Sequence, residues 1–113
     1  MNLTTDSTGG VSVVHVHEER LMYPLLSDFA ETMAGLLQGE QPKVLLDLSA
    51  VTYVDSATIG CLMDLYRQAA AAGGGVKLAG VQSRVATMLT MTGAQHFLEM
   101  HPDTAAGLAS FGA

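Results

Sequence analysis

Five segments of the chain have the hydrophobic pattern of β-strands: residues 3–5, 11–17, 44–48, 76–79 and 97–101. Residues 11–17 are rich in valine and follow a Gly-Gly pair, and a bounded run of β-branched residues predicts a strand. The strand at residues 3–5 is expected to pair with it across that glycine turn. Residues 44–48 are almost continuously apolar, which is typical of a strand covered on both faces.

Apolar residues also recur at helical spacing in four segments. The predicted helices cover residues 25–38, the segment from Ser56 to the glycines at 73–75, the segment from Ser83 to Gly93, and a short stretch after Pro102 and Asp103. In the first helix, Phe29 and Met33 lie one turn apart, and Gly39 ends it. The last helix carries Leu108 and Phe111 on its apolar side.

Strands and helices therefore alternate along most of the chain. Such an order predicts an α/β fold with right-handed crossovers. We expect residues 1–113 to form a single domain, with a mostly parallel mixed sheet of four to five strands and about four helices. Ligands and partners of open parallel sheets meet the loops at the carboxyl ends of the strands. The loop at residues 49–55 follows a buried strand, so function is expected there.

Composition narrows the classes of function. Hydrophobic residues make up 49% of the chain and charged residues 14%, which indicates a compact fold. The net charge is −6 and the basic residues are scattered, which argues against nucleic acid and anionic membranes as partners. No apolar stretch reaches the ~20 residues of a spanning helix, and the polar N-terminus is unlike a signal peptide. A cytoplasmic protein is expected, and the lone Cys61 fits a reducing compartment.

Ser56 is the residue that stands out in the loop before the second helix. Its position predicts an N-cap, which is the ordinary role of a serine at a helix start. The same position is exposed enough for a kinase to reach. A phosphate there would be tolerated by the positive end of the helix, whereas a partner fitted to a hydroxyl would have to accommodate a dianion. Phosphorylation of Ser56 would therefore switch binding without unfolding the domain.

Other polar side chains could also carry chemistry. His15 and His17 share one face of a strand with Glu19 nearby, but a closed zinc site needs four ligands. We expect solvent-facing or partner-facing histidines and no metal or other cofactor. Cys61 is either a low-pKa thiol near a helix start or a small core residue, and core is favoured. Asp47 lies at the end of a strand, as the phosphate-accepting aspartate of a receiver domain does. A receiver site also needs a lysine after the last strand, and this chain has none there. Asp47 is therefore expected to cap loop amides.

Several motifs occur together in one order: Asp47-Leu48-Ser49, Val54-Asp55-Ser56, Ile59-Gly60, Leu65-Tyr66-Arg67, Gly73-Gly74-Gly75-Val76-Lys77-Leu78, and Met88-Leu89-Thr90-Met91-Thr92-Gly93. In this order and spacing they resemble the signature of STAS domains, specifically bacterial anti-anti-sigma factors (anti-sigma factor antagonists). The resemblance extends from about Val11 to Phe111.

The resemblance implies a partner-switching module and not an enzyme. It implies that Ser56 is the phosphorylated residue, with Asp55 as its acidic neighbour. An anti-sigma factor that is also a serine kinase would bind the unmodified chain and release its sigma factor. A metal-dependent serine phosphatase would reverse the phosphorylation. The residues expected to contact the partner are Asp55, Ser56, Ala57, Thr58, Glu19 and Met22.

Two departures from the family pattern are visible. Ala57 and Thr58 replace the usual Ser or Thr followed by Gly, and Met22 stands where an acidic residue is expected. Two other hypotheses remain open. One is a constitutive STAS subunit of a transporter-associated or stress-sensing complex, in which Ser56 only caps a helix. The other is an enzyme that uses Cys61 or Asp47. The oligomeric state is left open.

Overall fold

The computed structural model describes residues 1–113. The strands are β1 (Leu3–Thr8), β2 (Val11–Val16), β3 (Arg20–Leu21), β4 (Lys43–Asp47), β5 (Tyr53–Val54), β6 (Gly75–Ala79) and β7 (Met100–His101). The helices are α1 (Leu26–Leu36), α2 (Ser56–Ala71), α3 (Ser83–Met91) and α4 (Thr104–Ser110). Single 3-10 turns lie at Tyr23–Leu25 and Ala94–His96.

The main sheet has five strands in the order β1-β2-β4-β6-β7. β1 is antiparallel to β2 across the glycine turn, and all other neighbours in this sheet are parallel. The prediction of a mixed, mostly parallel sheet with four helices is confirmed. One row across the sheet aligns Thr4 with His15 and His15 with Asp47. The row lies at the carboxyl ends of β2 and β4, near the loop that follows β4.

The sheet is covered on both faces, and each face has its own apolar core. On one face, a cluster of 21 buried residues lies between the sheet and α1, α2 and α3. On the other face, a smaller cluster around Val13 and Leu45 lies under α4. Gly107 allows this close packing, because a Cβ built there would lie 2.6 Å from Leu45 Cδ1. This double cover explains why the three central residues of β4, Val44, Leu45 and Leu46, are all apolar and buried.

Two strands were not predicted. β3 and β5 form a separate parallel pair, in which Arg20 aligns with Tyr53 and Leu21 with Val54. A strand of two residues is too short to show alternation, so its sequence gives no periodic signal. This pair fixes the entrance to α2.

The predicted boundaries also differ at two elements. The strand predicted at residues 97–101 is only Met100–His101, because residues 94–96 form a 3-10 turn that leads into it. The helix predicted at residues 25–38 is α1, Leu26–Leu36, and its first predicted residue belongs to the preceding 3-10 turn. None of the helices combines the length and the apolar character that crossing a membrane requires.

Candidate functional site

The candidate site lies where the loop after β4 leads through β5 into α2. Val51 in this loop is fully buried, and its N–H donates to the Leu48 carbonyl at 2.9 Å. Thr52 N and Tyr53 N both donate to the Glu19 carbonyl, at 2.8 and 3.2 Å. The main chain before β3 therefore holds the loop in place. Glu19, a predicted site residue, is brought beside the loop with its side chain exposed.

Asp55, and not Ser56, is the N-cap of α2. Its backbone is extended, and its Oδ1 accepts a hydrogen bond from Thr58 N at 2.8 Å. Its Oδ2 accepts from Tyr23 N at 2.9 Å, which ties the turn before α1 to the start of α2. The prediction of a Ser56 cap is wrong by one residue, because an aspartate, an equally good cap, precedes the serine.

Thr58 was expected to contact a partner, but its side chain is fully buried. Its Oγ1 lies 2.7 Å from both the Leu21 carbonyl and Asp55 Oδ1, and both are acceptors for the hydroxyl proton. Buried hydroxyls need such partners. Thr58 therefore supports Asp55 and β3 from inside the fold and does not belong to the exposed surface.

The carboxyl group of Asp55 is stabilised in its charged form. Desolvation acts to raise its pKa, but the hydrogen bonds from Thr58 and Tyr23 outweigh it and hold the pKa below the ordinary value. A permanent negative charge thus stands directly before Ser56. It interacts favourably with the positive end of α2.

Ser56 is the exposed first residue of α2. It lies at the edge of a shallow apolar depression of about 170 Å³ between α2 and α3, lined by Ser56, Ile59, Met88, Met91 and Thr92. Met91 is 81% exposed although it is apolar. Exposed apolar surface beside a functional candidate is typical of a protein-binding site. The sequence pattern gives no sign of this depression.

On the other side of Ser56, the turn before α1 contributes a second exposed surface. Tyr23 is 75% exposed and, with Pro24 and Leu26, borders a hollow that reaches the exposed Ala57. Met22 is half-buried at the start of this turn. Exposed tyrosines are frequent among the strongest contacts of interfaces. The structure therefore brings Met22 and Ala57 into one region, together with the exposed Tyr23, which the sequence did not indicate.

A third feature of this region is a tyrosine ring that two arginines contact. Arg20 Cζ lies 5.6 Å and Arg84 Cζ 5.9 Å from the centroid of the Tyr53 ring, within cation–π range. Arg20 is placed by the pairing of β3 with β5, and Arg84 by the start of α3. The two arginines are 64 positions apart in the chain, so sequence spacing could not bring them together.

Asp47 caps a loop amide, as predicted, because its Oδ1 accepts from Ser49 N at 3.0 Å. Its Oδ2 also lies 2.7 Å from His15 Nδ1, and His15 Nε2 lies 3.1 Å from Asp6 Oδ2. His15 is thus half-buried between two carboxylates, which corrects the expectation that it faces solvent or a partner. The hydrogen bond to Asp47 raises the pKa of His15 most. Desolvation acts to raise the pKa of Asp47, but hydrogen bonds from Ser49 and His15 lower it overall.

His17 and Cys61 have ordinary surroundings. His17 is exposed, and its Nε2 lies 2.9 Å from Thr4 Oγ1. Cys61 is half-buried and packs against the main core. Desolvation raises the pKa of its thiol, and the charge of Asp64 raises it further. A helix start does not activate this cysteine, so the reading as a low-pKa thiol is wrong.

Solved structures with the same fold include proteins described as anti-sigma factor antagonists. An anti-sigma factor antagonist (STAS) domain protein from Planctomyces limnophilus superposes with a TM-score of 0.89 at 21% identity, over 98% of both chains. An anti-sigma factor antagonist from Mycobacterium paratuberculosis superposes with a TM-score of 0.87 at 18% identity. The match covers 99% of this chain and 94% of the antagonist. The phosphorylated form of the Bacillus cell fate determinant SpoIIAA superposes with a TM-score of 0.69 at 13% sequence identity. The match covers 93% of this chain and 96% of SpoIIAA. At these identities the likeness establishes the fold.

Comparison with curated proteins gives no match. The family model of the STAS domain matches residues 2–107, which is nearly the whole chain and includes every element from β1 into α4. The architecture and this match agree, and the chain therefore belongs to the STAS domain family.

Proposed function

We propose that this chain is an anti-sigma factor antagonist whose binding to an anti-sigma factor serine kinase is switched off by phosphorylation of Ser56. The observation that carries the proposal is the division of roles at the start of α2. Asp55 makes the cap, and the exposed Ser56 stands at the edge of an apolar depression. Structural relatives described as anti-sigma factor antagonists support it, among them SpoIIAA, which has been solved in unphosphorylated and phosphorylated forms.

The fold tolerates a phosphate on Ser56 because the serine does not hold the helix. The capping hydrogen bond comes from Asp55, whose second oxygen also fixes the turn at Tyr23. A phosphate adds roughly −1.5 to −2 charges at the first turn. The helix end favours an anion there by about 0.3–1 kcal/mol, and the adjacent Asp55 opposes it. These local effects nearly cancel, so the domain stays folded.

Partner binding does not tolerate the phosphate. A partner that fills the depression beside Met88 and Met91 covers the Ser56 hydroxyl and removes water from it. A dianion at this edge would be desolvated next to apolar groups and next to the charged Asp55. Desolvating an unpaired charge costs several kcal/mol, and each 1.4 kcal/mol lowers affinity about tenfold.

The chemistry of the switch is supplied by the partners. The kinase transfers the γ-phosphoryl group of ATP to Ser56 Oγ, the hydroxyl proton is lost, and ADP leaves. A serine phosphatase hydrolyses the phosphoester with water and restores the hydroxyl. The chain itself is proposed to be a binding module without catalytic activity. Because sigma factors act on RNA polymerase, the proposal places the chain in the cytoplasm.

Mass spectrometry tests the site of modification. The chain is incubated with ATP and each purified anti-sigma factor kinase of its source organism, and phosphopeptides are identified. We expect one phosphopeptide that contains Ser56, which is lost in Ser56→Ala. Ser83→Ala is the matched control, because Ser83 is likewise the exposed first residue of a helix. Modification that persists in Ser56→Ala, or that is absent with every kinase, contradicts the proposal.

The alternative is a constitutive STAS subunit of a larger assembly. In that case a negative charge at Ser56 would leave assembly unchanged. Ser56→Asp therefore separates the two functions: the antagonist loses affinity for its kinase, and the constitutive subunit keeps its partners.

A further inference from the structure

Two of the five lysines and arginines of this acidic chain meet at one tyrosine near Ser56. The chain has 11 acidic residues and only five lysines and arginines, yet Arg20 and Arg84 both contact the Tyr53 ring. No carboxylate lies within 4.0 Å of either guanidinium. By contrast, Arg67 on α2 is paired with Asp64 at 3.0 Å. Both ring-contacting arginines are exposed, so their donors remain available to a partner.

The arginine pair adjoins the proposed switch. Tyr53 lies in β5, which leads directly into the cap of α2 and Ser56. Arg84 lies one helical turn before Met88 on the same side of α3, because residues four apart share a helix face. Met88 and Ser56 line the same depression. The basic pair and the apolar depression therefore form one continuous surface.

Arg84 is placed against the preference of its own helix. It is the second residue of α3, whose first turn contains no acidic residue and whose cap makes no side-chain hydrogen bond. A cation in the first turn interacts unfavourably with the helix dipole. The ring of Tyr53 orients both guanidinium groups, and a guanidinium binds a carboxylate through two parallel hydrogen bonds. This placement therefore suits recognition better than stability.

We propose that Arg20 and Arg84 bind acidic side chains of the partner protein, while an apolar side chain of the same partner fills the depression beside Ser56. The inference rests on the proposed function and adds the chemistry of the partner's face: carboxylates next to an apolar residue. The Tyr53 pair fixes the orientation in which the partner approaches the serine.

Calorimetric titration tests the inference with the kinase that phosphorylates Ser56. The unphosphorylated chain and its Arg20→Gln and Arg84→Gln variants are compared at about 50 mM and about 300 mM salt. We expect each variant to lose about tenfold in affinity at low salt, and less at high salt. The matched control is Lys43→Gln, because Lys43 begins β4 at the opposite end of the sheet. This variant should bind the kinase as tightly as the wild type does. The thermal midpoint of Arg84→Gln should be unchanged or higher.

The outcomes separate this inference from the proposed function. If both arginine variants bind as wild type while Ser56→Asp does not bind, the inference is wrong and the switch stands. If Arg84→Gln loses affinity only in proportion to a lowered thermal midpoint, the arginine is structural and the inference is also wrong. If no kinase binds the wild-type chain, the proposed function fails and this inference fails with it.

Discussion

Asp55 and Ser56 are neighbours in sequence with very different surroundings. Both carboxylate oxygens of Asp55 accept main-chain N–H groups, from Thr58 and from Tyr23. The Ser56 side chain stands exposed on the first turn of the same helix. A residue that carries no structural hydrogen bond can change its charge without disturbing the fold. This separation is what a modification site at a helix start requires.

The cap can be tested by unfolding in urea. We expect Asp55→Ala to lower the free energy of unfolding by about 2 kcal/mol, because it removes the cap and the tether of Tyr23. Asp103→Ala removes a cap with one hydrogen bond, to Ala106 N, and should cost about 1 kcal/mol. Ser56→Ala should change stability by less than about 0.5 kcal/mol. A loss in Ser56→Ala as large as that in Asp55→Ala would show that the serine is the real cap.

Gly60 gives a second test on the same face of α2. It lies one turn after Ser56, is exposed, and has open space where a Cβ would stand. Since glycine disfavours a helix interior, Gly60→Ala should raise the free energy of unfolding by about 0.5–1 kcal/mol. It should also weaken kinase binding, because a partner that covers Ser56 passes close to this backbone.

Gly35→Ala is the control for that experiment. Gly35 is an exposed glycine of α1 with the same open space, so its substitution should stabilise the chain equally without changing affinity. Equal affinities of the two alanine variants, measured by titration calorimetry, would place the partner elsewhere.

The two faces of the sheet are covered by different helices, and they differ in how much apolar surface is left exposed beside the site. α2 and α3 both lie on one face, and the half-buried Met88 and the exposed Met91 border the depression between them. α4 covers the other face as a short helix that approaches β4 very closely at Gly107. The junction beside Ser56 thus carries the most exposed large apolar side chain of the molecule, Met91 at 81%. The α4 side contributes stability to the sheet that carries the site.

The close approach of α4 predicts a strong effect at Gly107. A Cβ there would lie 2.6 Å from Leu45 Cδ1, so Gly107→Ala should destabilise the chain by about 1–3 kcal/mol. Replacing Leu45 by valine in the same chain should recover part of this loss, since it removes the clashing atoms. The measurement is a double-mutant cycle in urea unfolding. Simple additivity of the two substitutions would contradict the contact.

At the scale of the whole molecule, His15 joins three strands. Its two ring nitrogens face Asp6 on β1 and Asp47 on β4, and ionised carboxylates only accept hydrogen bonds. The geometry therefore favours the doubly protonated imidazolium. The ring of His17, which follows the end of β2, stacks on that of His15 with centroids 6.3 Å apart. This cluster holds the exposed edge strand to the centre of the sheet.

Stability should consequently depend on pH. The pKa of His15 is raised on folding, so its contribution is full below the ordinary value of about 6.5 and is lost as pH rises through the higher folded pKa. The pKa of Asp47 is lowered, so its contribution is lost only as pH falls through that lower pKa. The thermal midpoint of the wild type should fall as the pH rises from 6 to mildly alkaline values. The midpoint of His15→Gln should fall less over the same range. Parallel profiles of the two proteins would contradict the cluster.

The sequence predicted the order of the main elements, because long periodic segments report burial directly. It also indicated Asp47 as a loop cap. That the motif around Ser56 is the functional segment stays a prediction. The sequence could not show β3 and β5, which are too short for a periodic signal. It missed the Arg20–Tyr53–Arg84 cluster and the partners of His15, because these contacts depend on how distant segments meet. Thr58 was misplaced because a hydroxyl in a polar motif gives no sign of burial.

The central claim is that a dianion on Ser56 prevents partner binding and spares the fold. The most direct measurement compares the phosphorylated and unphosphorylated chains, in one preparation, for affinity toward the kinase and for thermal midpoint. The account predicts a loss of affinity of at least about a hundredfold with midpoints that agree within a few degrees. Equal affinities, or a phosphorylated chain that melts far below the unmodified one, would contradict it.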